Sequence, residues 1–175
     1  NIHLNKMSYK MSRRPTRGRA LIINNEYFTN EKLMTRVGSE HDRDNIVELF
    51  KQLHFETEVK SDLSAKDMLK LLDEEAKSQK QDADAFVLFI MSHGTQGQVF
   101  GMDGNSLDIE KDIVARFDGN HCPALRNKPK MFFIQACQTE VKATAKEGRD
   151  ETDGDVPEDE VFHAMKALSI EDTVD

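Results

Sequence analysis

The sequence predicts an α/β fold, a mostly parallel sheet flanked by helices on both faces. Three observations carry that prediction. Short apolar runs recur at 20–23, 85–91 and 131–134, each of the length and composition of a strand buried on both faces. Segments of helical period lie between the first two runs and again before the third. Each run stops at polar or small residues: Asn24-Asn25, Ser92-His93-Gly94 and Gln135-Ala136-Cys137. In an open α/β sheet, those carboxyl ends are where ligands bind.

Residues 1–16 are polar and basic, with Lys6, Lys10, Arg13 and Arg14, no acidic residue and no periodicity. They read as a flexible N-terminal segment ahead of a core at 17–139. Asn1 stands where a methionine would begin a chain, so an upstream part is expected to have been removed or omitted. Ala20–Ile23 is the first strand, and 28–38 is a loop. From Glu40 to Leu53, Ile46, Phe50 and Leu53 fall at helical spacing, with Val47 and Leu49 beside them. Phe55–Val59 alternates as a strand. Ser64 with Asp67 three residues on forms a capping signal, and Ala65, Met68, Leu69, Leu72 and Ala76 line one face of the helix that follows. Two strand–helix–strand units imply parallel pairing. Gly101 and Gly104 mark a turn or hairpin within 98–108. Ile109, Ile113, Val114 and Phe117 mark another helix, and Pro123 and Pro129 bracket the approach to the third apolar run. Residues 140–175 are acidic and strand-poor, with one short helix expected from Glu158 to Leu168 behind Pro157. This region reads as a cleavable linker.

The 175 residues suit one domain. With 38% hydrophobic and 32% charged residues, the expectation is a soluble protein; no apolar run approaches the ~18 residues of a membrane span. Two cysteines, Cys122 and Cys137, exclude a disulfide scaffold and point to a reducing, cytoplasmic setting. A net charge of −8 argues against nucleic acid as a partner. An acidic substrate remains open, since a local basic pocket can override the global field.

If the strands ending at Met91 and Gln135 are parallel neighbours about 4.8 Å apart, Cys137 and His93 face each other at one edge. A thiol beside an imidazole can form the thiolate, the reactive species. Gly94 lets a backbone N–H come close to a substrate. The N–H groups of Gly94 and Cys137 could then hold the oxyanion of a tetrahedral intermediate. Gln-Ala-Cys-Gln with a histidine 44 residues upstream is, but for Thr139 where glycine is expected, the signature of caspases, whose histidine lies about 50 residues upstream. From about Arg17 to Gln138 the chain resembles the large catalytic subunit of a caspase, and among these the initiator type.

The resemblance implies a cysteine endopeptidase that cuts after aspartate, with a role in apoptosis or related proteolytic signalling. His93 would be general base and acid, Cys137 the nucleophile, and Gly94 with the Cys137 N–H the oxyanion donors. No third catalytic side chain is implied; a backbone carbonyl near Met34 would orient the imidazole. Arg36, in the loop Met34-Thr35-Arg36-Val37-Gly38, matches the family's reader of the substrate aspartate, and Gln135 its second ligand. A guanidinium grips a carboxylate with two parallel hydrogen bonds, as lysine cannot. Without the dyad, Arg36 would read as a solvated loop arginine. The resemblance further implies a zymogen, a small subunit that supplies another arginine, a homodimer of large–small pairs, protein substrates and an adaptor or activating complex. No cofactor or metal is implied. Cleavage is expected after Asp175, with Asp153 a second site.

His121 and Cys122 are adjacent, but nothing at metal-ligand spacing accompanies them. His3, His41, His54 and His163 read as solvated or packing histidines, and Asp42 and Asp44 as residues suited to a helix start. Two rival readings stand beside the enzyme. A catalytically weak or silent homologue acting as a regulatory dimerisation partner rests on Thr139. A flavodoxin-like nucleotide module would need a phosphate-cradling loop that the sequence lacks.

Overall fold

A computed structural model describes residues 15–136 and, by backbone alone, Cys137 and 163–169. In chain order the elements are β1 (Gly18–Asn24), α1 (Ser39–Gln52), β2 (Phe55–Ser61), α2 (Ala65–Ser78), β3 (Ala85–Ser92), β4 (Gly94–Thr95), β5 (Gln98–Phe100), β6 (Ser106–Asp108), β7 (Lys130–Cys137) and β8 (His163–Ser169). The main sheet has the order β2-β1-β3-β7-β8. Its first four strands are parallel and β8 runs antiparallel to β7. β4, β5 and β6 form a small antiparallel sheet, the hairpin that the glycines announced.

Strand alternation explains the layers. Ala20, Ile22, Val87, Phe89 and Met91 point to one face and pack against Phe50, with Ile46 and Val47 of α1 at its margin. Leu21, Ile23, Leu88, Ile90, Phe132 and Ile134 point to the other, against Met68 and Leu72 of α2 and Phe117. β3 is buried at every position, which is why its sequence is a continuous apolar run. Aromatic stacks tie both layers to it, Phe89 on Phe133 at 4.4 Å and Phe86 on Phe117 at 4.5 Å between ring centroids. Ser64 caps α2 as expected, accepting from the Asp67 N–H at 3.1 Å. Leu49 and Leu53, which share the helical pattern of α1, are exposed.

Two expectations are corrected. The helix predicted around Ile109–Phe117 is a π turn (Ile109–Ile113) followed by a 3-10 turn (Val114–Phe117). Ile109, Ile113 and Phe117 are all buried in the α2-side core, and the turn geometry bends to seat all three. The helix predicted over Glu158–Leu168 is replaced across 163–169 by β8, which pairs along β7 from Met131–Ser169 to Cys137–His163. The exposed row of N–H and C=O groups on β7 offers a strand partners that a solvated short helix cannot match. Residues 1–14, 138–162 and 170–175 lie outside the described residues.

Candidate active site

The site begins with strand register. Asn24 pairs with Met91, and Met91 with Gln135, so one row crosses the carboxyl ends of β1, β3 and β7 on the α1 face. Ser92 pairs with Ala136. One residue further along each strand stand His93 and Cys137, on parallel neighbours about 4.8 Å apart. His93 follows the last residue of β3 and Cys137 ends β7, so both backbones lie at the same sheet edge.

His93 is oriented from the loop after β1. Its Nε2 lies 2.7 Å from the carbonyl oxygen of Met34. A carbonyl can only accept, so Nε2 carries the hydrogen and Nδ1 is left as the ring's acceptor. The Phe28 ring packs on the imidazole with centroids 4.7 Å apart and planes tilted by 47°. The backbone beside it is tied to β5: the Ser92 hydroxyl donates to the Phe100 carbonyl at 2.6 Å, and the Phe100 N–H donates to the His93 carbonyl at 2.8 Å. Met34 itself is 81% exposed, so its main chain, not its side chain, does the positioning.

Gly94 has a packing reason of its own. A Cβ there would meet the Gln98 carbonyl oxygen at 2.3 Å and the Ala136 Cβ at 3.0 Å. The hairpin strand β4 thus lies too close to β5 and β7 for any other residue.

The loop that carries Arg36 is fixed by amides. Asn25 is fully buried. Its Nδ2 donates to the carbonyls of Leu63 and Phe100, each at 3.2 Å, and its Oδ1 accepts from the Leu63 N–H at 2.9 Å. Asn24 donates from Nδ2 to the Ser39 hydroxyl at 3.0 Å. Asp62 accepts from the N–H groups of Glu26 and Tyr27. Arg36 then donates from one nitrogen, Nη1, to Asn24 Oδ1 and to the Asn25 carbonyl, each at 3.0 Å. Its guanidinium is anchored at the β1 end of the row that ends in Gln135, two strand spacings or about 10 Å across.

Asn24, Asn25, Phe28, Ser92 and Asp62 were missed as site-building residues. The doubled asparagine after an apolar run was legible only as a strand end, although an amide supplies donors and an acceptor to a buried junction. Phe28 carries no signal in sequence, since its partner is 65 positions away. Thr139, Asp153 and Asp175 lie outside the described residues. Cys122 is buried, donates to the Ala76 carbonyl at 3.2 Å, and has its thiol pushed up by burial, as suits an inert core cysteine. Among the described residues no group of three or more histidine, cysteine or acidic side chains could hold a metal. No described helix is long and apolar enough to cross a membrane.

The family model described as the caspase domain matches residues 17–172. The chain belongs to this family. It is 40% identical to caspase drICE of Drosophila melanogaster over 82% of this chain and 42% of that protein. It is equally 40% identical to human caspase-9, over 97% of this chain and 43% of the relative. With mouse caspase-8 the figures are 38% identity, 74% and 28%. The chain therefore spans less than half the length of these relatives. Matches to drICE as well as to caspase-9 and caspase-8 put the chain within the family without singling out one branch of it.

Proposed function

We propose that this chain is the large-subunit part of a cysteine endopeptidase that cleaves protein substrates after aspartate. The observation that carries the reading is the contact of His93 Nε2 with the Met34 carbonyl, 2.7 Å, on a strand end that register sets beside Cys137. A backbone acceptor fixes the tautomer, the task that a carboxylate performs in a triad. Nδ1 of His93 is then the base that takes the Cys137 proton. The thiolate attacks the substrate carbonyl carbon, and the N–H groups of Gly94 and Cys137 donate to the oxyanion. His93 returns the proton to the leaving amine as the C–N bond breaks. The same imidazole next takes a proton from the water that hydrolyses the thioester, releasing the acid and restoring the thiol.

Arg36 and Gln135 read the aspartate side chain. Their support is position: Arg36 is anchored on Asn24, and Asn24, Met91 and Gln135 form one row. A small subunit completes the pocket, pairs of subunits dimerise, and the assembled enzyme acts in apoptosis or related signalling in the cytoplasm. Asp175, with Asp153 as a second cut, is where a zymogen is processed.

The test is self-processing of the precursor with and without Cys137→Ala, read by mass spectrometry of the termini. Loss of the cut after Asp175 in the variant supports the assignment, and identical termini in a purified system overturn it. A regulator without activity is the second reading, resting on Thr139. It predicts a wild-type assembly that stays inactive when dimerised and gains turnover as Thr139→Gly.

A further inference from the structure

A hollow of about 290 Å³ opens on the α2 side of the fold, away from the row of Asn24, Met91 and Gln135, and is lined by Asp73, Ala76, Lys77, Lys111, Ala115, Arg116 and His121. Its charge runs against that of the chain. The whole sequence carries −8, yet this wall sets three permanent cations against one carboxylate, leaving two positive charges uncancelled.

The cations are of two kinds. Arg116 is pinned: its Nε donates to the Asp112 carbonyl at 2.5 Å and its Nη1 pairs with Asp73. His121 is held in turn, with Nδ1 at 2.9 Å from Asp118 Oδ1 and its own N–H donating to the same oxygen. Lys77 and Lys111, by contrast, place no ammonium group in a hydrogen bond or ion pair among the described residues. Acidic residues outnumber basic ones 32 to 24, so this is not for want of carboxylates in the chain. Two preset groups and two uncommitted ammonium groups around a floor of Ala76 and Ala115 make a site for an anion.

We propose that this hollow binds a phosphate monoester. The charge matches: a monoester carries about −1.5 to −2 near neutral pH, whereas a carboxylate would cancel only one of the two surplus charges. The size matches too, since about 290 Å³ stands at the lower limit of the ~300–1,000 Å³ of small-molecule pockets. It suits a phosphate with a few attached atoms better than an extended ligand. Lys77 and Lys111 close on the oxygens while Arg116, already oriented, supplies directed donors. Because none of these residues belongs to the sheet edge of His93 and Cys137, the site stands whether or not the chain is a peptidase.

The test is an amide NMR titration of the full chain with O-phosphoserine, adenosine monophosphate and inorganic phosphate, with acetate as comparator. Saturable shifts centred on residues 73–77, 111–116 and 121 are expected, with acetate weaker by about tenfold. Lys77→Glu/Lys111→Glu should raise Kd for every phosphate at least about tenfold, and Lys66→Glu, elsewhere on α2, should leave it unchanged. Both lysines are exposed, so the double variant keeps its fold. Tighter binding of the nucleotide than of phosphoserine would name a mononucleotide as the source, and the reverse a phosphorylated side chain. An unchanged Kd in the double variant, acetate binding as tightly as phosphate, or shifts centred elsewhere overturns the proposal.

Discussion

Two arginines serve opposite ends of β1, and they are held by different chemistry. Arg19, at the amino end, is surrounded by carboxylates. Its Nε donates to Glu75 Oε1 at 2.7 Å, Nη2 to Glu75 Oε2 at 3.0 Å and also to Glu58, and Nη1 pairs with Glu56 at 3.2 Å. Glu75 is 3% exposed. The hydrogen bond to Glu75 outweighs the cost of burial and pushes the guanidinium pKa up. At the carboxyl end Arg36 meets an amide oxygen and a main-chain carbonyl. Those two contacts orient the group at the strand end. The first arrangement sets carboxylates around a guanidinium; the second ties one to the oxygens of a strand end. The amino end of the sheet is built for stability, and the carboxyl end carries the proposed site.

The sharpest break of that contrast would come from His93. His93→Ala should lower kcat/KM by about a thousandfold, the scale of a lost general base, while the thermal midpoint stays within a few degrees. A midpoint that collapsed together with activity would make His93 a structural residue and remove the functional half of the comparison.

Arg36→Lys comes next. A point charge keeps the sign of the group but not the planar fork, so kcat/KM for peptides with aspartate before the bond should fall about a hundredfold. Stability should hardly move. Equal cleavage of aspartate and asparagine peptides by wild type and variant would deny Arg36 its reading role.

The amino end should behave in the opposite way. Arg19→Met leaves Glu75 buried and unpaired, at a cost of about 3 kcal/mol. For a chain of this size that lowers the thermal midpoint by roughly 6–12 °C. Replacing Glu75 by Leu in the same chain should recover most of the loss, because a buried ion pair and an apolar pair of similar volume are often close in stability. Catalytic constants of the folded fraction should be unchanged. A fall in kcat with no loss of stability would join two ends that the structure keeps apart.

How much of this could be read in the sequence divides along the same line. The strands ending at Met91 and Gln135 were legible as buried strands because burial on both faces forces continuous apolar runs, while their adjacency entered only as a condition. The cap at Ser64 was legible because its partner is three residues away. Two strand–helix–strand units made parallel pairing legible, but not the order that sets β1 between β2 and β3. What stayed hidden depends on long-range polar pairing. Asn25 bridges Leu63 and Phe100 through one amide, and no local pattern marks such a junction. Arg19 reads as an ordinary strand-flanking charge until Glu75, 56 residues on, folds over it. β8 was misread because its partner strand, not its own periodicity, decides its conformation.

The finest test concerns acid. Glu58 has its pKa lowered below the ordinary 4.5, first by a hydrogen bond from Lys60 and then by one from Arg19, against the opposing effect of burial. A carboxyl depressed in the folded state contributes stability above its unfolded value and loses it as pH falls through the folded one. The contribution of Glu58 is therefore complete at neutral pH and fades from about pH 4.5 downward. Asp103 adds to the same acid limb: burial pushes its carboxyl up, but the Ala65 N–H and the Asn105 side chain bring it down on balance. Glu58 is partly exposed, so the effect of its removal should be only a few tenths of a kcal/mol to about 1. Glu58→Gln should be less stable than wild type at pH 7, with the two curves converging at pH 3, as urea midpoints across that range would register. A difference that grew toward acid would reverse the sign of the argument. An equal difference at all pH values would assign Glu58 a packing role and leave Arg19 to Glu75 alone.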